Sequence, residues 1–402
     1  MGALQELNLC VVTTWPPVMC GLSEYSKWLY ESMALVKPSA KIVILAVKPS
    51  NDNGKAYVES LPNLHVEYSW SPDSVLYPLH LVKEAVKSGA RIVHFQHEYW
   101  LYGRGPRQAL FLLTLALLKI CGRRIVVTLH GLLLPSALAT SYKTYHTTMI
   151  PPLLTKILAK AFINTLSLLT DVIIVHLKIM KLTLVREYRV NGDKVTVIPH
   201  GVLKFPQKAV TWDKPRNLLI FGSIRPDKGI EHVIKAFEEL ASEHPDVQLV
   251  IAGSYNPLIS PESRGYLSKL LRIILRSPHR ARIRLRLNVP SQEIPNLYRC
   301  AHIVILNYLD DSILAASGPL SLALATLKPV IATKIPRFLD YDSYITLVKP
   351  GDLEELAESM KILVEDGDLR QKLVEKLYTL RRKHSWDRVA LEHVKLYAKL
   401  AR

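Results

Sequence analysis

Two cations lie on one short turn in the second half of the 402-residue chain. Arg225 and Lys228 follow an apolar run that predicts a strand over 217–224, and Gly229 begins a segment with apolar residues at helical spacing. Two positive side chains beside a helix N-terminus can neutralise a phosphate group without a metal ion. For an isolated pair of this kind, two solvated cations on a loop are the commoner explanation.

A second phosphate-type cradle is predicted in the same half of the chain. Ser317 can cap a helix whose first turn contains Pro319, and Gly318 and Leu320 complete that turn. Two further residues stand at strand ends of this half, where exposed backbone can contact a nucleotide: Gly253 and Pro290.

Hydrogen-bonding and aromatic side chains follow a predicted strand over 91–96 in the first half. Gln96, His97, Glu98 and Tyr99 offer donors, acceptors and rings, which together suit a sugar. The alternative is a structural loop whose aromatic rings pack on the core.

His130 and His200 each precede a glycine at the end of a predicted strand. One such histidine is more often structural, but two at equivalent places favour a functional role. Gly21 lies in the loop after the first strand, where it lets the backbone approach an anion at the start of the next helix. An ordinary strand–helix loop is an equal alternative for Gly21.

Strands and helices that alternate along the chain must position these residues. Alternation runs through the first 200 residues or so, pauses at a polar, proline-flanked stretch over 205–215, and restarts at 217. This pattern indicates parallel sheets covered on both faces. The predicted fold is α/β, with two tandem Rossmann-like doubly wound domains facing a cleft. The predicted strands are 7–14, 41–47, 91–96, 124–129, 172–175, 195–198, 217–224, 247–252, 283–289, 303–307, 330–333 and 345–348.

The charge balance favours anionic partners. The chain has 52 Lys and Arg against 35 Asp and Glu, a net charge of +17. Its cations are spread along helices and no nucleic-acid motif is present, so we expect no specific nucleic-acid partner. The predicted helices over 107–120, 153–169 and 178–187 combine apolar with basic residues, which allows contact with an anionic membrane surface. An equally weighted alternative is that these helices pack on the core and expose their basic residues to solvent.

Four cysteines without a C-x-x-C pair indicate a reducing compartment. The N-terminus has no leader pattern, and the longest apolar run, over 109–118, is too short to span a bilayer. We therefore predict a cytoplasmic location. The basic helices also suggest a peripheral position on the inner face of the membrane.

In their order along the chain, these motifs resemble the retaining glycosyltransferases of family 4, which have the GT-B fold. The resemblance covers nearly the whole chain, through 96–98, 130–131, 198–202, 221–229 and 328–333 besides the Gly21 loop. The tail from Ser385 and Trp386 is similar to the segment that crosses back onto the N-terminal domain in that family. The predicted domains are thus 1–205 for the acceptor, 206–384 for the nucleotide-sugar and 385–402 for the crossing helix.

The resemblance implies transfer of a hexose from a nucleotide-diphosphate sugar, of GDP-mannose or UDP-hexose type, to a glycan or lipid-linked acceptor with retention. The nucleotide-sugar is a co-substrate, and neither cofactor nor metal is expected. The implied catalytic residues are His130, Arg225 and Lys228. The implied donor-binding residues are Gly21, Arg225, Lys228, Gly253, Pro290, Asp310, Asp311, Ser317, Gly318, Pro319 and Leu320, and the acceptor-binding residues are Gln96, His97, Glu98, Tyr99 and His200.

The chain departs from the family at two carboxylates. Where the family has paired glutamates, alignment on Gly318 places Ala315 and Ala323. A subgroup with a Ser-Gly signature is similar here, and Asp310 or Asp311 is the candidate replacement. Two alternatives follow: a weak or inactive nucleotide-sugar-binding homologue, and a basic protein that binds nucleic acid or a membrane surface. A nicotinamide dehydrogenase is disfavoured because no G-x-G-x-x-G follows a strand.

Overall fold

The computed structural model describes residues 7–18, 20–49, 61–99, 101–103, 107–136, 151–205, 216–255, 262–309 and 311–401. Asp310 and most of the predicted linker, over 206–215, lie outside these residues. No helix in the described part of the chain is both long and apolar enough to cross a membrane.

The first half forms a seven-stranded sheet in the order β3-β2-β1-β4-β5-β7-β8. All of its pairings are parallel. Its central strands are buried almost throughout, because helices cover both faces. Its elements are β1 (Asn8–Thr13), α1 (Gly21–Val36), β2 (Lys41–Val47), β3 (Leu64–Trp70), α2 (Tyr77–Lys87), β4 (Ile92–His97), α3 (Gln108–Ile120), β5 (Arg124–Leu129), β6 (Gly131–Leu133), α4 (Pro152–Leu169), β7 (Val172–Val175), α5 (Lys178–Arg186) and β8 (Val195–Val197).

The second half forms a six-stranded parallel sheet in the order β11-β10-β9-β12-β14-β15. The order reverses at β9, which is the switch point where ligands bind in open α/β sheets. Its elements are β9 (Arg216–Phe221), α6 (Ile230–Glu243), β10 (Val247–Gly253), α7 (Glu262–Arg276), β11 (Ile283–Leu287), α8 (Ile294–Arg299), β12 (Ala301–Leu306), β13 (Ile313–Ala315), α9 (Gly318–Thr326), β14 (Val330–Thr333), β15 (Thr346–Val348), α10 (Leu353–Glu365), α11 (Gly367–Lys383) and α12 (Trp386–Ala401).

A small antiparallel ladder joins the two halves. β6, from the first half, pairs with β13, from the second, and Gly131 lies opposite Ala315. The Leu134 amide extends the ladder by donating to the Ser312 carbonyl at 2.8 Å. The ladder thereby holds the chain after His130 against the chain before Ser317.

The last helix, α12, packs on the first half of the chain. It contacts α1 and β4, and its Tyr397 is fully buried there. At its start, Trp386 covers Gly201, where an added Cβ would lie 2.2 Å from the indole ring. The division into domains at 205 and 384 stays a prediction, but the crossing of this helix onto the first half agrees with the implied role of the tail.

The predicted α/β fold with two parallel sheets is confirmed. The sequence prediction missed β3, whose residues alternate between polar and apolar and are mostly half-buried at the sheet edge. It also missed β6 and β13, because three-residue strands carry too little periodicity to be recognised.

Candidate functional site

The cation turn is built by a short 3-10 helix between β9 and α6. This helix spans Pro226–Lys228, with Arg225 at its N-terminal boundary. Gly229 ends it in the left-handed conformation, with φ of 50°. An added Cβ at Gly229 would lie 2.6 Å from Asn307 Nδ2, so the turn requires glycine there.

Asp227 fixes both cations of this turn. Its Oδ1 accepts from Arg225 Nε and its Oδ2 from Lys228 Nζ, each at 3.0 Å. Burial alone would raise the pKa of Asp227, but the charges of Lys228 and Arg225 more than offset this, so its pKa lies below the ordinary value. The carboxylate is therefore ionised at neutral pH, and it orients two side chains that would otherwise be free to rotate.

A third cation, Arg337, lies near the same Tyr308 ring as Lys228. Lys228 Nζ lies 3.6 Å from the Tyr308 ring centroid, and Arg337 Cζ lies 5.4 Å from it. Asp311 binds Arg337 twice, accepting from its backbone amide at 2.6 Å and from its Nε at 2.8 Å. Arg337 also donates to the Ile313 carbonyl at 2.6 Å. Asp311, predicted as a donor ligand, is thus buried and engaged with Arg337.

The N-terminus of α9 faces the same region. Ser317 caps this helix, and its hydroxyl accepts from the Leu320 amide at 3.3 Å. Pro319 lies in the first turn, and its carbonyl accepts from the Tyr298 hydroxyl at 3.1 Å. Leu320 points into the core and is 2 % exposed. The predicted cap is confirmed. Because Pro319 has no N–H and the Leu320 amide donates to Ser317, the Gly318 amide and the positive end of the helix dipole are what α9 offers to an anion.

These elements enclose a cavity of about 520 Å³ at the carboxyl ends of the second sheet. Its lining includes Lys228, Arg337, Tyr308 and the Ser317–Pro319 turn, and it also takes in Gly21, Gly222, Gly253, Asn288 and Val289. Arg225 and Pro290 are not among the lining residues. Asp227 links Arg225 to the lining residue Lys228, because it pairs with both. Pro290 directly follows the lining residue Val289.

His130 lies in a row of buried polar side chains in the first half. Its Nε2 is 2.7 Å from Gln96 Oε1, and its Nδ1 is 3.3 Å from His176 Nε2. His176 Nδ1 donates to the Ile198 carbonyl at 2.9 Å. Burial lowers the pKa of His130 well below its ordinary value and, with the nearby His200, lowers that of His176 to about 3. Both rings are neutral at pH 7.

The row continues from Gln96 to the last helix. Gln96 Nε2 donates to Tyr30 Oη at 2.6 Å, and Tyr30 Oη lies 2.9 Å from His94 Nδ1. Tyr397 Oη, from α12, lies 2.6 Å from the same His94 nitrogen. The orientation of His130 therefore depends on side chains from α1, β4 and α12.

A second cavity, of about 660 Å³, adjoins the first. The two share Gly21, Ile294, Ala316 and Gly318. The polar part of the second cavity's lining includes Glu98, His130, His200 and Ser321. Residues of both sheets line this space, so it forms a cleft between the two halves.

The predicted acceptor residues separate into two groups. Glu98 and His200 line the second cavity; burial raises the pKa of Glu98 despite the backbone hydrogen bond from Tyr99, and lowers that of His200. Gln96 is buried beside His130, and the Tyr99 hydroxyl accepts from the Leu133 amide. His97 projects from the opposite face of β4 and packs on Tyr102, Phe111 and Phe162 in the core.

One group of side chains in the described part of the chain has metal-ligand spacing. Glu243, His244 and Glu365 lie close together, but Lys361 pairs with Glu243 at 2.6 Å. None of the three lines either cavity. This group therefore lies outside both cavities of the cleft.

Two family models match successive parts of the chain. Glycosyltransferase Family 4 matches residues 40–202, and Glycosyl transferases group 1 matches residues 204–379. Together the two models span most of the chain, which belongs to this group of glycosyltransferases. An uncharacterized glycosyltransferase of Methanocaldococcus jannaschii is 24% identical over 224 residues, and the match spans 51% of this chain and 54% of that relative. The chain thus matches about half the length of the curated relative.

Solved structures of similar fold cover almost the whole chain. Sucrose-phosphate synthase from Thermosynechococcus elongatus aligns with a TM-score of 0.72 at 17% identity, over 98% of this chain and 99% of that one. Anabaena HepE, in complex with UDP and glucose, aligns with a TM-score of 0.65 at 13% identity, over 97% and 99%. These likenesses confirm the GT-B fold of the family.

Proposed function

We propose that the protein transfers a hexose from a nucleotide-diphosphate sugar, of UDP-hexose or GDP-mannose type, to a glycan or lipid-linked acceptor with retention. The observation that carries this proposal is the convergence of Lys228, Arg337 and the N-terminus of α9 on one cavity. A diphosphate is the ligand that suits such a set of donors, and the complex of HepE with UDP and glucose supports the same ligand class.

In the proposed reaction, negative charge grows on the diphosphate as it leaves the sugar. Lys228 and Arg225 stabilise that charge, because Asp227 holds both in place before the reaction begins. The leaving phosphate accepts the proton of the incoming hydroxyl, and no side-chain nucleophile is required. His130 is neutral, and its two ring nitrogens face Gln96 and His176, so it supplies the surface of its ring as a wall beside the sugar.

The missing glutamates are part of the proposal. Ala323 is fully buried in α9, and Ala315 is held in the ladder opposite Gly131. Neither position can replace a carboxylate ligand to ribose, so contacts to the nucleoside fall to the neighbouring lining at Asn288 and Val289. We assign the chain to the subgroup with Ser317 and Gly318 on this basis. Metal independence belongs to the proposal, since three protein cations adjoin the diphosphate position.

The test is turnover of UDP-glucose and GDP-mannose against pooled oligosaccharides and a lipid extract, with EDTA present. Release of nucleoside diphosphate reports the rate, and NMR of the product reports the anomeric configuration. Lys228→Ala and Arg225→Ala should each lower turnover by at least about 100-fold, the scale of losing one transition-state charge partner. Lys235→Ala, at an exposed position on α6, is the matched control. Equal turnover in all variants would contradict the assignment.

We also propose that the first half of the chain contacts an anionic membrane, on the cytoplasmic inner face. α4 exposes Leu153 by 70%, Ile157 by 54% and Leu158 by 51%, and Lys156 and Lys160 lie among them. A basic helix with exposed apolar residues is typical of membrane-surface binding. It would bring the cleft to a lipid-linked acceptor.

Sedimentation with phosphatidylglycerol vesicles tests this contact. The double variant Ile157→Gln and Leu158→Gln should lose vesicle binding, whereas the pair Leu271→Gln and Leu275→Gln on α7, also exposed, should keep it. Binding that is equal in the wild type and both variants would contradict the proposal.

A further inference from the structure

The second cavity of the cleft has a mostly apolar wall. Trp28 and Leu22 come from α1, and Leu101 and Leu203 come from loops of the first half. Leu322 and Ala325 come from α9 in the second half. All of these except the buried Ala325 are half-buried, so their side chains keep surface that a ligand can cover.

Two histidines of this cavity pack against one ring, that of Tyr25. The His130 and His200 rings lie 4.6 Å and 5.2 Å from the Tyr25 ring, centroid to centroid. The Ser321 hydroxyl lies 3.3 Å from His200 Nδ1. The lining of this cavity therefore combines a few polar groups with a larger set of apolar side chains.

One of the two alanines at the usual glutamate positions adds to this character. Ala315 lines the cavity together with Ala316, where family members would place a carboxylate. Apart from the histidines, the ionisable side chains of the lining are Glu24, Cys20, Tyr25 and Glu98. A fully hydroxylated glycan that filled this space would leave hydroxyls without partners along the leucine wall, which costs free energy.

We propose that this cavity binds the acceptor as an amphipathic molecule. Its hydroxylated head contacts Glu98 and His200, and its apolar body lies along Trp28, Leu203 and Leu322. The inference rests on the proposed function, because it names the acceptor class of that same cleft. The volume of about 660 Å³ suits a head group with a short segment of chain.

Affinity for such a ligand should grow with its apolar length. Each buried methylene should lower the dissociation constant about fourfold, from roughly 0.8 kcal/mol per group. The gain should stop once the chain extends beyond the leucine wall. A polar cavity would instead give one affinity for every chain length.

Calorimetric titration with methyl, butyl, hexyl and octyl β-glucoside, below their micelle concentrations, tests this expectation. The wild type should bind octyl glucoside at least 50-fold more tightly than methyl glucoside. Leu322→Gln should reduce that ratio by about tenfold or more. Leu203→Gln is the second variant, since it changes the wall from the other half of the chain.

The matched control is Leu391→Gln, on α12. Leu391 is 39% exposed and lines a different cavity, which shares no lining residue with either cavity of the cleft. This variant should keep the wild-type chain-length ratio. A ratio near one in the wild type, or the same loss in Leu391→Gln as in Leu322→Gln, would overturn the proposal.

Binding of UDP and GDP, followed separately by thermal shift, distinguishes this proposal from the proposed function. Chain-length dependence without diphosphate binding would leave the apolar subsite standing and sink the transferase assignment. Diphosphate binding without any dependence on glucoside chain length would do the reverse.

Vesicle binding identifies the source of the amphipathic ligand. If phosphatidylcholine vesicles that contain monoglucosyl diacylglycerol retain the wild type but not Leu322→Gln, the source is a membrane lipid. Glucoside binding without retention would identify a free amphipath.

Discussion

Arg337 shows how a residue far along the chain completes a site that a local motif begins. Lys228 and Ser317 could be predicted because their neighbours in sequence, Gly229 and Pro319, determine the turn and the cap. Arg337 reaches the cavity only through Asp311 and the Ile313 carbonyl. No local pattern announces such a contact, so sequence reasoning missed it.

Replacing Arg337 by Leu should weaken nucleoside diphosphate binding about tenfold, since a hydrogen bond to a charged group contributes about 1.5–3 kcal/mol. The measurement is calorimetric titration with UDP and GDP. Arg299→Leu, an exposed arginine on α8 outside the lining, is the control and should bind as the wild type does. Unchanged affinity in Arg337→Leu would mean that Arg337 serves only to hold Asp311 and the loop before β13.

The acceptor side was predicted less completely. Glu98 and His200 line the cavity as the strand-end argument requires. His97 does not, because the alternation of side chains along β4 turns it toward the core. Trp28 and Leu322 belong to α1 and α9, where sequence alone predicts that such apolar side chains are ordinary core residues.

At the scale of elements, the long parallel strands could be predicted because each is a continuous apolar run. The β6–β13 ladder could not, since its three-residue strands come from parts of the chain some 180 residues apart. That ladder and α12 are what bring the two halves together at the cleft. The tail was assigned from the family resemblance, and the contact of Trp386 with Gly201 is its physical basis.

Gly201→Ala tests whether this docking stabilises the fold. The added methyl group would lie 2.2–2.4 Å from atoms of the Trp386 ring, so the helix start must move. We expect a loss of about 1–3 kcal/mol in the free energy of unfolding, as for other overpacked sites. Chemical denaturation provides the measurement.

Gly265→Ala, in α7, is the matched control for that variant. No atom lies within 4 Å of its added Cβ, and alanine is the better helix residue. It should be neutral or slightly stabilising. Equal stability of both variants would show that Trp386 shifts without cost and that α12 is not tightly docked.

For the whole molecule, buried histidines contribute to the loss of stability in acid. Burial lowers the pKa of His97, His384 and His393 to about 4, and that of His176 to about 3. In the unfolded chain these groups titrate near 6.5. The unfolded state thus binds more protons once the pH falls below about 6.5, and the native state loses stability until the pH reaches the folded pKa values.

We therefore expect the free energy of unfolding to fall steeply between pH 6.5 and pH 4. Each fully neutral histidine contributes a slope of about 1.4 kcal/mol per pH unit in this window. Guanidinium denaturation at pH 7, 6 and 5 measures the slope, and His97→Phe, which fills the same aromatic cluster, should reduce it by about one histidine's share. A stability that is flat between pH 7 and pH 5 would contradict the neutral, buried state of these rings.

The central claim is that the cleft binds a nucleoside diphosphate through protein cations. Thermal-shift titration with UDP, GDP, ADP and their sugar conjugates, in EDTA, tests it most directly, because a ligand that binds the folded state raises the melting temperature by mass action. We predict a rise with one diphosphate, a larger rise with a particular sugar attached, and loss of both in Lys228→Ala but not in Lys235→Ala. No rise with any of them, or equal rises in Lys228→Ala and the wild type, would contradict the account.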